Sequence, residues 1–306
     1  MDKNILNQFR LTVNEKKLGV YGICVYKDGK TVSHRWRSDD KICAYSVSKT
    51  FTSTAVGICV RKGILSLEDK MLDFFPEFAS DAAKGTEKIR IVDLLHMQSG
   101  KDAFWFGGEE NTSTVHSVSE DWAKMFIKTP LKWEPGTHFR YSNGCTYMLG
   151  RIIEKVTGAK SLCDFLIPEL FDILGIHNPQ WHTCPGGHTL AATELFLTTE
   201  EIMRLGVLWL NKGEYNGRRI LDEDYICKAT TDFVPTDPWA SPESNLGYGY
   251  QVWKCSPEGV YRADGMYAQF SIVIPHKNAV VAITSHNEYS SHEILAAVWS
   301  DILPQL

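Results

Sequence analysis

The chain has 306 residues, 43% of them hydrophobic, and a formal net charge of −5. That is too apolar for a disordered chain and enough for a sizeable core, arranged as one large domain or two intertwined ones. The mild acidity speaks against nucleic-acid binding, which leaves a basic footprint, and no apolar run reaches the ~18 residues of a membrane span.

The start, MDKNILNQFR, has no basic region followed by an apolar stretch, so the expectation is a cytoplasmic protein with no signal peptide. Residues 18–37, LGVYGICVYKDGKTVSHRWR, set two alternating runs around a Lys-Asp-Gly-Lys turn, which predicts a β-hairpin. The stretch AYSVSKTFTS (44–53) reads as a helix start with Val47, Phe51, Ala55 and Ile58 as its buried stripe. Its crowd of hydroxyls is unusual in a helix, because they compete with the backbone for hydrogen bonds. From 64 to 240 the patterns are mainly helical, broken by Gly and Pro loops. NGCTYMLGRIIEKVTG (143–158) places Tyr147, Ile152, Ile153 and Val156 near one face and stops at Gly158. TTEEIMRLGVLWLNKG (198–213) opens with a capping-box pattern, Thr198 with Glu201. Residues 259–286 read as two or three strands with a turn at Pro275 to Asn278, and 292–303 have helical spacing at Ile294, Leu295, Val298 and Ile302. Strands in 1–63 and 241–306 are therefore expected to meet in one antiparallel sheet, with 64–240 as a mainly helical insert. There is no internal repeat.

Eight cysteines are scattered along the chain (Cys24, Cys43, Cys59, Cys145, Cys163, Cys184, Cys227 and Cys255) with no C-x-x-C pair, which fits reduced thiols better than a disulfide framework. HTCPGGH (182–188) sets two histidines around a cysteine, but its Pro-Gly-Gly reads as a loop. No metal and no cofactor is expected.

Ser46 and Lys49 are three apart, on neighbouring positions of one helix face. A serine becomes a nucleophile when a neighbour takes its proton. A lysine can take it when burial or nearby charge lowers its pKa. The helix N-terminus adds free N–H groups that suit a developing oxyanion. A second S-x-x-K, SDDK (38–41), lies beside two acids that would keep its lysine protonated, and reads as an ordinary loop. The one Y-x-N triplet, Tyr141-Ser142-Asn143, stands in a Pro-Gly-rich loop before a helix. A phenol and an amide two apart there can face one cleft. Otherwise Tyr141 packs in the core and Asn143 caps the helix.

YSVSKTFTSTAVGICVRKGILSLEDKMLDFFPEF, IRIVDLLHMQSG, EPGTHFRYSNGCTYMLGRIIEKVTG and LTTEEIMRLGVLWLNKGEYNGRRIL stand in the order and spacing of the serine β-lactamase-like family. From about residue 18 onward the chain resembles class C β-lactamases, the related D-alanyl-D-alanine carboxypeptidases and, above all, their esterase and 6-aminohexanoate-dimer hydrolase cousins. The resemblance implies a β-lactamase/transpeptidase-like α/β (α+β) fold over 1–306, an antiparallel sheet flanked by helices with the site at its edge. It implies Ser46 as the acylated nucleophile and Lys49 as its partner. Tyr141 would share a proton with that lysine and relay it to the leaving group, and Asn143 would orient substrate or Lys49.

The family's third motif, K-T-G or H-x-G, carries a cation for a substrate carboxylate. The matching stretch, YRADGMYAQFSIVIP (261–275), lacks it. Gly265 to Gln269 is most similar to the dimer-hydrolase branch, where a glycine replaces the cation. The next residue, here Met266, would then give the second oxyanion N–H beside that of Ser46. Arg262 is a candidate substitute cation, but alternation puts it on the face of Asp264, where the two can pair. Trp105 and Phe106 are the expected substrate-binding walls, with Trp133, Trp239 and Tyr248 as further candidates, and His286 reads as structural. The implied function is a serine hydrolase of a small-molecule ester or amide, acting through an acyl-enzyme and weak on β-lactams. The alternatives are a β-lactamase or D-amino-acid peptidase proper, and a catalytically silent penicillin-binding-like binder or sensor. A Ser-His-Asp hydrolase of another fold is disfavoured by the absence of a G-x-S-x-G elbow.

Overall fold

The computed structural model describes residues 2, 4–103, 121–238, 241–287 and 291–306. Its strands are β1 (Val20–Lys27), β2 (Lys30–Arg35), β3 (Ile42–Cys43), β4 (Gln180–Trp181), β5 (Leu195–Leu197), β6 (Glu214–Tyr215), β7 (Arg218–Arg219), β8 (Trp253–Lys254), β9 (Tyr261–Gly265), β10 (Gln269–Ile274) and β11 (Ala279–Ser285). Its α-helices are α1 (Asn7–Lys16), α2 (Ser48–Arg61), α3 (Ile91–Leu95), α4 (Trp122–Lys128), α5 (Asn143–Thr157), α6 (Leu162–Leu166), α7 (Asp172–Leu174), α8 (Thr199–Leu210), α9 (Glu223–Thr231) and α10 (Ser291–Ala297).

Strands from the two ends of the chain form one six-stranded sheet in the order β2-β1-β11-β10-β9-β8. All of its pairings are antiparallel. The β1–β2 hairpin closes through Asp28 (φ 49°) and Gly29 (φ 78°). Two successive positive φ values give the turn a twist that matches the strands, and Asp-Gly tolerates them best. Side chains alternate across the sheet. Cys24, Val273, Val280 and Ala282 face the larger core. Ile23, Val25, Phe270, Ile272, Val281 and Ile283 face a second core under α1 and α10. Both faces are covered, which is why β10 and β11 are buried along their whole length.

The larger core packs α2, α5 and α8 against the sheet. On α8, a Cβ at Gly206 would lie 2.5 Å from Ser271 Oγ and 2.6 Å from Val280 Cγ1, so glycine permits the close approach of helix to strand. Thr198 and Glu201 form the expected capping box at the start of α8, and Gly158 ends α5 in the left-handed conformation (φ 69°). A small sheet, β3-β5-β4, joins the chain before Ser46 to the segment 180–197. Its register sets Cys43 opposite Phe196 and Ile42 opposite Leu197. Among the described residues no helix is long and apolar enough to cross a membrane.

Candidate active site

The site begins where β3 turns into α2. Ala44 N–H donates to Leu195 O (2.8 Å), carrying the β3–β5 pairing one residue further. Tyr45 then adopts φ 46°, a strained region for a bulky residue. It is held there by its N–H on Cys43 Sγ (3.4 Å) and by its ring, edge-on to Tyr267 at 5.2 Å. A 3₁₀ turn over Tyr45–Val47 leads into α2, which leaves Ser46 half-buried at the mouth and Lys49 inside.

Lys49 is 1% exposed. Its Nζ lies 2.8 Å from Ser46 Oγ, 2.6 Å from Asn143 Oδ1 and 2.9 Å from Ala192 O. Burial pushes its amine well below the ordinary lysine value. The Tyr141 hydroxyl hydrogen-bonds the side chain of Ser46, while burial, with a smaller contribution from the charge of Asp264, raises its pKa. The ring of Tyr141 lies under the lysine, 4.9 Å from Nζ to centroid, and stacks on Trp253 at 5.6 Å. Four residues that the sequence singled out, from two distant segments, thus meet around one amine. The helix cap falls to Ser142, whose Oγ accepts from Gly144 N (3.2 Å). Asn143 occupies the first helical position instead, and its carbonyl faces Lys49.

The other hydroxyls of α2 anchor the helix. Ser48 Oγ accepts from Leu195 N (3.3 Å), Thr52 Oγ1 donates to Ala191 O (2.9 Å) and Thr50 Oγ1 donates to Gln251 O (2.9 Å). Ser53 lies 3.0 Å from the Tyr225 hydroxyl. Sequence reasoning had no signal for Ala192, which takes part through its carbonyl, a group common to all residues. It also passed over Gln251, which accepts from Thr146 (2.6 Å) and donates to Leu95 O (2.8 Å), fixing α5 against α3.

The second wall is the end of β9. A Cβ on Gly265 would lie 2.4 Å from Ala44 O and 3.3 Å from Ser46 N. Only glycine lets this strand come so close to the turn that carries Ser46. Met266 opens the following turn with its side chain 37% exposed. The turn passes through Tyr267 (φ 62°) and Ala268 (φ 66°). It is pinned by Gln269 Nε2 on Met266 O (3.3 Å) and Ser285 Oγ on Ala268 O (3.1 Å).

Arg262 is not available as a substitute cation. It is 1% exposed, and its Nε donates to Asp264 Oδ2 at 2.8 Å. Its NH1 donates to Lys254 O (3.2 Å). Among the wall candidates, Tyr248 is buried at 6.0 Å from the Tyr141 ring, and Trp133 stacks on His138 at 3.9 Å. Trp105, Phe106 and Trp239 lie outside the described residues. His286 stacks on Tyr267 at 4.1 Å. Lys41, of the second S-x-x-K, pairs with Glu201 (3.0 Å) in a loop. His182 and His188 face different carboxylates, Glu194 at 3.3 Å and Glu154 at 2.8 Å.

The N-acetylmuramyl-L-alanine amidase of Bacillus subtilis is 31% identical over 291 aligned residues, which take in 78% of this chain and 66% of that one. A protein provisionally named D-alanyl-D-alanine carboxypeptidase, from Salmonella agona, is 30% identical over 158 residues, 49% of this chain and 36% of its own. The chain therefore spans less than two thirds of the length of either relative. A solved structure from Bacillus anthracis, provisionally named a 6-aminohexanoate-dimer hydrolase, superposes with a TM-score of 0.78 at 22% identity, over 96% of this chain and 80% of that one. The Beta-lactamase family profile matches residues 10–301, and the chain belongs to the β-lactamase family.

Proposed function

We propose that the protein is a serine hydrolase that opens a small ester or amide through an acyl-enzyme on Ser46. The observation that carries this reading is the surroundings of the Lys49 amine. A neutral amine has two N–H bonds and one lone pair. Two of its three neighbours, the carbonyls of Asn143 and Ala192, can only accept, so they take the two N–H bonds. The lone pair is left for Ser46, whose hydroxyl then donates to nitrogen across 2.8 Å. That is the contact a general base needs. Burial, which disfavours the ammonium, shifts the amine toward that form.

As Ser46 Oγ attacks the carbonyl carbon, its proton passes to Lys49. The oxyanion settles between the N–H groups of Ser46 and Met266, where removal of a donor typically costs ~10²–10³ in rate. The close approach of Gly265 to Ser46 N supports this placement of the second donor. Tyr141, kept protonated by its raised pKa, delivers a proton to the leaving group and recovers one from Lys49. Water then repeats the sequence on the acyl-enzyme and releases the acid.

The substrate preference follows from the β9 wall. With Arg262 committed to Asp264, no cation there is left to anchor a carboxylate, which favours neutral or cationic esters and amides over penicillins. A fluorophosphonate probe tests the assignment: it should label wild type and Ser38→Ala but not Ser46→Ala. Absence of labelling in the wild type would favour a silent binder instead. Turnover of nitrocefin as fast as that of a short acyl ester would overturn the substrate preference.

A further inference from the structure

The segment that supplies Ala192 O to Lys49 continues through Thr193 and Glu194 into β5. Thr193 and Glu194 line a cavity of 620 Å³, together with Trp122, Trp181, His182 and Leu190. Its walls are fixed. Trp181 Nε1 donates to Thr193 O (2.8 Å), and Trp122 packs on Tyr147 with ring centroids 5.7 Å apart. Glu194 is held at φ 63°, and its carbonyl accepts from His182 N (3.1 Å). Its carboxylate lies 3.3 Å from His182 Nδ1 and also accepts from the Cys43 thiol, three residues before Ser46. That side chain is 33% exposed, and among the described residues no lysine or arginine pairs with it.

The two carboxylates flanking the Ser46 turn therefore differ. Asp264 pairs with a buried guanidinium, whereas Glu194 has only His182 as an ion-pair partner among the described residues and stands at the edge of a cavity lined by two tryptophans. A carboxylate beside aromatic faces attracts a cation by charge and by the ring quadrupole together, and repels an anion. The bond from the Cys43 thiol sets the Glu194 carboxylate beside the turn that carries Ser46.

We propose that this cavity is a subsite for an ammonium-bearing arm of the substrate, with Glu194 as its specificity-determining residue. The proposal rests on the serine-hydrolase reading of the same site and names the charge of the substrate that site accepts. It is tested with matched esters: choline acetate against the acetate of its uncharged tert-butyl isostere, and the methyl ester of γ-trimethylammonio butyrate against its tert-butyl counterpart. For at least one pair the wild type should prefer the charged ester by roughly tenfold in kcat/KM, of the size expected for a desolvated cation–π and ion contact. Glu194→Gln should bring that ratio down toward one, mainly through KM. An equal loss on both members of the pair, leaving the ratio unchanged, overturns the proposal, because a structural role does that too. Calorimetric binding of choline and of its carbon isostere, 3,3-dimethylbutan-1-ol, to Ser46→Ala supplies a readout independent of turnover. Equal affinity for the two overturns the subsite. Choline preferred over the alcohol, with no hydrolysis of any ester by wild type, keeps the subsite and overturns the hydrolase reading.

Discussion

Two lysines are buried in the described part of this protein, each 1% exposed, and each amine has three hydrogen-bond acceptors around it. Lys49 faces Ser46 Oγ, Asn143 Oδ1 and Ala192 O. Lys101 faces Thr86 Oγ1 (3.0 Å), Ile127 O (3.4 Å) and Thr129 O. Burial lowers both, Lys101 to about 7. The difference lies in what the neighbours can return. Lys101 closes the C-terminal end of α4, where two of its acceptors are backbone carbonyls. The third, Thr86, spends its own proton on Ile127 O (3.3 Å). Ser46 has a proton to give and an open side toward the cleft. Burial lowers both amines, and on the serine-hydrolase reading only the one with a reachable proton donor can serve as a base.

The comparison is broken most severely at Lys49. Lys49→Met should lower kcat/KM for a short acyl ester by about 10⁴-fold or more, since a nucleophile and its base act as a unit. Tyr141→Phe should cost ~10²–10⁴, the range of one acid–base partner. Lys101→Met should leave the rate within a few-fold of wild type. Its effect should appear in urea unfolding as a loss of about 1–3 kcal/mol at pH 9, from the Thr129 carbonyl and the Thr86 hydroxyl that lose their donor. An activity loss at Lys101 as large as that at Lys49 would mean that the two buried lysines do not differ in role.

The pH dependence sharpens it. Between pH 7 and the ordinary lysine value of 10.5, Lys101 is neutral in the folded chain and protonated in the unfolded one. The unfolded state binds more protons there, so stability rises with pH, at up to ~1.4 kcal/mol per unit for one group. Below pH 7 the amine is charged in both states and the slope from this group vanishes. Lys101→Met should flatten the rise, so its destabilisation narrows from pH 9 to pH 6. Thr86→Val should give a smaller change, about 1–2 kcal/mol, as its bond to Ile127 O and the one it accepts from Lys101 are both lost. Both are read from urea midpoints across pH.

Much of the frame was legible in the residues. The Asp-Gly hairpin, the capping box of α8 and the glycine stop of α5 are local signals, and short-range sterics and hydrogen bonds carry them. The spacing of Ser46 and Lys49 on α2 is also local, and so is the alternation that pairs Arg262 with Asp264. Lys101 was passed over because a lysine in a loop carries no sign of its burial.

The sequence by itself determined which elements form and which side chains share a face, because those follow from the period of helix and strand. It also named Ser46, Lys49, Tyr141 and Asn143 as the candidates for acyl chemistry. The tertiary structure alone decided which of them are dry and which backbone carbonyl completes the cage around Lys49. It likewise set apart the two carboxylates near Ser46, one paired with Arg262 and one that, among the described residues, pairs with His182 and with no lysine or arginine. Those outcomes depend on packing between segments as far apart as residues 43, 141, 192 and 265. Desolvation and carbonyl orientation are properties of the assembled interior, and no residue type encodes them.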